Sequence, residues 1–241
     1  MNRLLILYSG EITRMKKYGI TIASLGVALL WIIILHFIEI TDISAIFPLL
    51  IFTDTTLMSI ILIGASMLFE KQENIVKSIS VLPIEKGEYI LAKTLGTMTS
   101  SITTLLLLLL YGILVKGMEI NILGIFGAVL LCSFVFAQLG VILTYNSKDF
   151  TTLLMGMFKF SIIFAIPTIL EYIKVFSGDL IRYIQYINPT KNALVLLLSS
   201  TGQVERIDFW IAFTYLVVLG VLLYFAVRKG FENFAMKESG G

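Results

Sequence analysis

The sequence is poor in residues that form disulfides and bind metals. It contains one cysteine and one histidine among 241 residues. The single cysteine, Cys132, cannot form a disulfide within the chain. The single histidine, His36, has no second histidine or paired cysteine with which to complete a zinc site. We therefore expect neither a metal nor a cofactor to be bound by this chain.

Charged residues are also scarce, at 14% of the chain, whereas soluble domains carry about a quarter. Hydrophobic residues make up 58% and gather in runs of about 20, the length that crosses roughly 30 Å of hydrocarbon. The net charge of +2 is too small to indicate a nucleic-acid partner. The composition predicts an all-α, polytopic membrane protein with residues 1–241 forming one transmembrane domain.

Hydropathy predicts six membrane-spanning helices. Their predicted ranges are 20–40, 47–69, 90–115, 120–143, 151–170 and 208–228. Residues 1–19 precede them and place Leu4, Tyr8, Ile12 and Met15 on one helical face, with the charged residues elsewhere. This pattern favours an amphipathic helix that lies in the membrane interface.

The lysine and arginine distribution predicts the orientation. With the N-terminus inside, 12 of the 18 lysines and arginines fall on the inner side and 5 on the outer side, while Lys159 lies within a span. We therefore expect a multi-pass protein of the cell membrane, a bacterial plasma membrane, with both termini in the cytoplasm.

The outer connection, residues 171–207, is not a simple loop. An apolar stripe at helical spacing comes first: Leu180, Tyr183, Ile184 and Ile187. Asn188-Pro189 then interrupts the chain, and the apolar run 193–198 is too short to span a bilayer. Two short helices that dip into the outer leaflet and a helical cap on the outer surface fit this pattern equally well.

The inner connection, residues 70–89, lies within the segment FEKQENIVKSISVLPIEKGEYILAK, which is rich in both signs of charge. Ile75, Ile79 and Leu82 recur at helical spacing, and Pro83 ends the pattern. A short amphipathic helix on the inner membrane surface is therefore predicted. The alternative is a solvated loop whose lysines anchor the topology.

This segment resembles the first cytoplasmic loop of ABC transporter permeases of the second type. In that family a Glu-rich start, a short helix, a proline and an acidic-aliphatic-Lys start to the third span recur. The six spans, the amphipathic N-terminal helix and the broken outer segment also match. The resemblance implies a coupling helix that docks on a separate ATP-hydrolysing subunit. The residues it implicates are Glu70, Lys71, Glu73, Asn74, Ile75, Lys77, Ile79 and Pro83.

Within that set, Glu70 and Glu73 are expected to contact the ATPase, Ile75 and Ile79 to fix the helix to the membrane domain, and Pro83 to set the turn. The family works with two ATP-binding subunits, which use ATP and Mg, and with a second permease subunit, identical or different. This chain is thus expected to be a transport subunit, not an enzyme. Its implied cargo is an amphipathic peptide, toxin or hydrophobic drug, with lipid-linked polysaccharide or haem-pathway cargo as the alternative.

No nucleotide-binding domain is expected. Residues 87–94 approach a phosphate-binding loop, but Ala92 replaces the second glycine and the segment leads into a membrane helix. An intramembrane enzyme would need a catalytic pair such as two aspartates, and Asp54 has no companion in another span. A membrane scaffold remains the other alternative.

Polar residues inside the spans are costly and usually face protein or water. Asp54, Lys159 and Tyr183 are candidates for a translocation path, although a structural role is the alternative for Asp54 and Lys159. The third span also carries a hydroxyl stripe that is expected to join helices rather than bind cargo. Its members are Thr94, Thr97, Ser101 and Thr104.

Overall fold

A computed structural model of the chain describes residues 3–37, 43, 46–75, 84–175 and 184–239. Every regular element within these ranges is helical. Six of the helices are long and apolar enough to cross a membrane, which confirms the sequence prediction. The chain is a multi-pass helical membrane protein by these criteria.

We number the described helices α1 to α8 in chain order. They are α1 Arg3–Lys17, α2 Ile20–Phe37, α3 Phe47–Gln72, α4 Lys86–Lys116, α5 Ile122–Tyr145, α6 Phe150–Tyr172, α7 Pro189–Leu198 and α8 Arg206–Ser239. The six span candidates are α2, α3, α4, α5, α6 and α8. Two of them contain a wide π turn, Asp54–Met58 in α3 and Ser161–Ala165 in α6.

The centre of the bundle is formed by α3 and α5, the most buried of the spans. Phe52 of α3 and Phe136 of α5 are fully buried in one apolar core, which also contains Leu197 of α7. By contrast, α2, α6 and α8 are the least buried spans. Association between helices in lipid depends mainly on close packing and polar contacts, so the central pair determines how the other helices are arranged.

α3 and α5 cross in direct backbone contact at Gly140. A Cβ at this position would lie 2.9 Å from Ile60 Cα and 3.0 Å from the Ile60 carbonyl oxygen. Because backbone atoms cannot rotate away as a side chain can, only glycine permits this approach.

The hydroxyl stripe of α4 faces the interior, as its spacing predicts, and all four members are buried. Gln138 Nε2 of α5 donates to Thr94 Oγ1 at 2.9 Å, and Ser59 and Ser101 hydroxyls are 3.3 Å apart. These contacts connect α4 to both central spans. The stripe therefore joins helices.

The inner connection is shorter than the sequence predicts. α3 continues through Glu70 to Gln72, and α4 begins at Lys86 instead of residue 90. Glu85 caps α4: its side chain accepts a backbone N–H of the first turn, and its own N–H donates to the Glu88 carboxylate at 3.2 Å. Residues 76–83, which contain Lys77, Ile79 and Pro83, lie outside the described residues.

We expect Gly140→Ala to destabilise the bundle, because its methyl group would meet the backbone of Ile60. Gly127→Ala is the matched control on the same helix, since a Cβ there meets nothing within 4 Å. Thermal unfolding of the purified protein should show a loss of about 1–3 kcal/mol for Gly140→Ala, the usual cost of overpacking, and little change for the control. Equal unfolding temperatures for the two variants would show that this contact is not tight.

Candidate functional site

Four charged side chains meet where α1 contacts the ends of α3 and α4 that flank the 73–85 connection. We call this the inner end, because the charge distribution predicts that it faces the cytoplasm. The four side chains are Glu11 and Arg14 of α1, Glu70 of α3 and Lys93 of α4. We call this group the charge cluster. Glu11, Glu70 and Lys93 are each at most 1% exposed, so three of the four charges are removed from solvent.

Lys93 lies between the two carboxylates of the charge cluster. Its Nζ lies 2.9 and 2.8 Å from the two Glu11 carboxylate oxygens and 2.8 Å from Glu70 Oε1. It also donates to Ser66 Oγ at 2.7 Å, and that hydroxyl donates to Glu11 at 2.7 Å. The ammonium group therefore joins all three helices through a single atom.

Arg14 closes the cluster from its partly exposed side. Its guanidinium contacts Glu11 at 3.0 Å and Glu70 at 2.5 Å. The Tyr89 hydroxyl donates to the other Glu70 oxygen at 2.5 Å. Two carboxylates and two cations give no net charge, which is the condition under which buried ions are tolerated.

The local sequence places these groups by helical spacing. Ser66 and Glu70 are four residues apart on α3, and Tyr89 and Lys93 are four residues apart on α4, so each pair shares one helix face. α1 reaches them because α4 has a glycine at the crossing: a Cβ at Gly96 would lie 2.8 Å from Glu11 Cγ. Farther along, the Tyr8 and Thr99 hydroxyls bond at 2.8 Å.

The titration of Glu11 reflects its surroundings. Burial by itself raises the pKa of this carboxyl, but the nearby Lys93 charge and the hydrogen bonds from Lys93 and Ser66 outweigh it. The pKa of Glu11 is therefore lowered from its ordinary 4.5. The folded protein favours the ionised form.

The charge cluster corrects one expectation about the coupling residues. Glu70 was expected at a partner's surface, but its exposure is 0% and three side chains bind its carboxylate. Since α3 continues through this position and turns it inward, Glu70 cannot serve as an exposed docking contact in this arrangement.

Glu73 remains at the surface and holds α1 from there. Lys17 Nζ donates to its two oxygens at 2.7 and 2.8 Å, and the Tyr18 hydroxyl donates at 2.9 Å. Hydrogen bonds from Lys17 and then Tyr18 lower the pKa of Glu73. Next to it, Asn74 is exposed with a left-handed backbone, φ 57°, while Lys71 and Ile75 are half-buried.

The structure separates the two charged candidates for a translocation path. Asp54 is 2% exposed, lies in the π turn of α3 and interacts with the hydroxyls of Thr104 and Ser101. Lys159 instead lies on the exposed face of α6. The two residues therefore do not pair with each other. The third candidate, Tyr183, lies outside the described residues.

Lys159 is unusual because of its depth. It follows Phe150 by nine residues, which places it ~14 Å along a helix that rises 1.5 Å per residue. Within the part of the chain that the structure describes, no side chain forms an ion pair or hydrogen bond with it. A lysine facing lipid at this depth costs about 2.5–3.5 kcal/mol. The described residues therefore leave this cost uncompensated.

At the outer end, α7 is packed inside the bundle. Asn188 caps it and donates to the Phe164 carbonyl at 2.9 Å and to Gln185 Oε1 at 2.7 Å. Thr190 donates to the same carbonyl at 2.7 Å. The Tyr186 hydroxyl, one of the outer aromatic groups, donates to Asp208 at 2.6 Å. The segment after Asn188 is therefore a buried helix and not an exposed loop.

Sequence reasoning did not identify the charge cluster. The available signal was the repeated spacing, Ser66 with Glu70 and Tyr89 with Lys93, at the inner ends of consecutive spans. Because consecutive spans are antiparallel, these pairs must lie at one depth, and their charges are opposite. The contribution of α1 had no comparable signal, since its docking depends on Gly96.

The chain matches no protein-family model and no curated protein in comparisons with known proteins. The resemblance of its inner loop to transporter permeases consequently enters below as a proposal.

We expect Lys93→Met to destabilise the protein strongly, because it leaves two buried carboxylates facing one cation. Breaking a buried ion pair typically costs 3–5 kcal/mol, or about 10 °C in unfolding temperature for a chain of this size. Adding Glu11→Gln restores neutrality and should recover part of the loss, whereas adding Arg14→Gln should deepen it. A Lys93→Met protein as stable as the wild type would contradict the assigned role of the cluster.

Docking of α1 should also depend on pH. Since the native pKa of Glu11 is depressed, its contribution is complete above about pH 4.5 and is lost as the pH falls further. Hydrogen exchange of α1 amides, corrected for the intrinsic pH dependence, should therefore quicken below that value. Glu11→Gln is the control and should show less of this dependence. If the corrected exchange rate of α1 in the wild type does not change with pH, docking of α1 does not depend on the ionisation of Glu11.

Proposed function

We propose that this chain is the transmembrane permease subunit of an ATP-driven ABC exporter. The observation that carries the proposal is the rigid inner end: the charge cluster fixes α1, α3 and α4 around a charged connection of residues 73–85. A connection that only reverses the chain direction does not require α1, α3 and α4 to be held together where it begins. A connection that transmits force from a partner subunit to the spans does require such a fixed attachment.

The described ends of this connection support a docking role. Glu73 is held by Lys17 and Tyr18, and Tyr18 packs against Phe69 with ring centroids 5.1 Å apart. On the other side, Glu85 is exposed and is fixed as the cap of α4. Because these two ends are already fixed, a partner that binds them loses little free energy to ordering side chains. More of its binding energy is then available to couple ATP hydrolysis to movement of the helices.

The membrane arrangement follows from the charge distribution and the helix order. We place both termini and the 73–85 connection in the cytoplasm of a cell membrane, with α1 in the inner interface and α7 in the outer leaflet. Two copies of an ATP-binding subunit and a second permease subunit complete the assembly. Two of the three least buried spans, α2 and α8, provide apolar surface for that second subunit and for lipid.

The cargo that we propose is amphipathic. A peptide, toxin or hydrophobic drug fits an apolar bundle with few charges, and lipid-linked polysaccharide or haem-pathway cargo is the alternative. An intramembrane enzyme is less well supported, because Asp54 has hydroxyl neighbours and no second acidic group among the described residues around it. A membrane scaffold would not require the charge cluster to hold α1, α3 and α4 together beside the 73–85 connection.

We expect the double variant Glu73→Lys/Glu85→Lys to lose its ATP-hydrolysing partner. The test is affinity purification of the full chain from cross-linked cells, followed by identification of co-purifying ATPases and measurement of their yield. Reversing two exposed charges at a docking surface should lower the yield about tenfold or more. Glu119→Lys/Glu205→Lys, which reverses two exposed charges in connections at the other end, is the matched control.

A second control separates docking from folding, because Glu73 also binds Lys17. Lys17→Glu/Glu73→Lys restores that internal pair while the docking charge stays reversed. It should fold like the wild type and still bind the ATPase poorly. Absence of any ATPase from the wild-type sample, or full binding by Glu73→Lys/Glu85→Lys, would overturn the proposal.

A further inference from the structure

The exposed face of α6 carries a single charge at the middle of an otherwise apolar stripe. Met155, Phe158, Ile162, Ile163 and Ile166 are all 45–63% exposed along this face. Lys159 lies among them, two residues from the midpoint of the Phe150–Tyr172 span. In the described parts of the candidate spans, no other charged residue is both exposed and more than two turns from a span end; Arg228 and Lys229 are exposed but lie within three residues of the end of the Arg206–Phe231 span.

Lys159 cannot reach water past the inner end of its own helix. Its ammonium group extends roughly 6 Å on a four-carbon stem, and the helix start is ~14 Å away. Bending of the side chain toward the start of the helix therefore shortens the distance between the ammonium group and the aqueous surface, but does not close it. Without water or an anion beside it, the ammonium group would lie in hydrocarbon, which is costly.

A cavity opens on the same face, one turn farther out. It has a volume of about 420 Å³ and lies between α6 and the segment before α7. Its apolar lining includes Ile163, Pro167, Ile184 and Ile187. The polar groups at its wall belong to Gln185 and Asn188, which bond to each other at 2.7 Å. Cavities of this size hold small ligands or part of a lipid chain.

The charge and the cavity are close enough to bind one molecule. Ile163 lines the cavity and follows Lys159 by four residues, ~6 Å along the helix. The only carboxylate of α6 is Glu171, which is already paired with Lys191 at 2.6 Å. The face thus offers an apolar space next to a positive charge that no described side chain compensates.

We propose that this face of α6 lines a water-accessible substrate path and selects an anionic amphiphile. The apolar part of the molecule lies in the cavity, and its acidic group, a phosphate or a carboxylate, pairs with Lys159. This proposal rests on the proposed transport function and narrows it to cargo with a negative charge. Cationic peptides and drugs are disfavoured, because they would meet a like charge at the centre of the path.

The first test measures water access in native membranes. In a Cys132→Ala background, a membrane-impermeant thiol reagent is applied to Ile162→Cys and to Leu222→Cys. The two positions are 63% and 62% exposed, so they differ in location and not in exposure. We expect Ile162→Cys to react and Leu222→Cys, on α8, to stay protected by lipid. Equal protection of both cysteines would overturn the proposal.

The second test measures charge selection. The purified full chain in phosphatidylcholine nanodiscs is labelled with photoactivatable phosphatidylglycerol or with the phosphatidylcholine analogue that has the same acyl chains. We expect the phosphatidylglycerol probe to label residues 155–166 about tenfold more than the phosphatidylcholine probe does. A tenfold difference corresponds to the free energy of about one hydrogen bond to a charged group. Lys159→Arg should keep this preference and Lys159→Gln should abolish it.

Lys148→Gln, which removes an exposed lysine just before α6, is the matched control and should leave the preference unchanged. Equal labelling by the two probes, or a preference that survives Lys159→Gln, would overturn the proposal. Neither readout uses an ATPase. Failure here is therefore distinguishable from failure of the transporter proposal, which is tested by co-purification.

Discussion

The inner end of the protein depends on four charges that cancel only when three helices are together. Lys93 contacts Glu11 of α1 and Glu70 of α3 at once. If α1 were displaced, Glu70 and Lys93 would lose Arg14 and Glu11, and two charges would remain buried with one partner each. Because incomplete pairing in a low-dielectric interior is expensive, α1 docks as a unit with the ends of both spans.

At the outer end, neutral hydrogen bonds join α6 to the start of α7, beside the Glu171–Lys191 ion pair. Proline at 167 removes one helical donor from α6, and the nearby π turn disturbs the regular hydrogen bonding. Within this irregular stretch the Phe164 carbonyl accepts from Asn188, Thr190 and Thr168. In an apolar solvent each such group must find a protein partner, so irregular backbone in α6 and the cap of α7 form one connected structure.

How far the sequence determines these features differs between them. The six spans and the inward hydroxyl stripe follow from hydropathy and helical period, which are local properties. The burial of Glu70 does not, because its surroundings consist of residues 55 or more positions away in α1 and about 20 positions away in α4. Likewise, nothing local distinguishes Gly140, which packs closely against Ile60, from Gly127, where an added Cβ would meet nothing within 4 Å. The predicted coupling helix stays a prediction, since residues 76–83 lie outside the described ranges.

The described polar groups differ in whether this chain supplies their interaction partners. At the inner end every charge of the cluster has a partner of opposite sign, and at the outer end Asn188 and Thr190 are fully bonded. Asp54, although buried, lies beside two hydroxyls of α4. Lys159 is different, because its cost in the membrane is not offset by any described residue of this chain. The α3–α5 centre is therefore packed by residues of this chain alone, whereas the face of α6 carries one charge beside which we propose water or an anion.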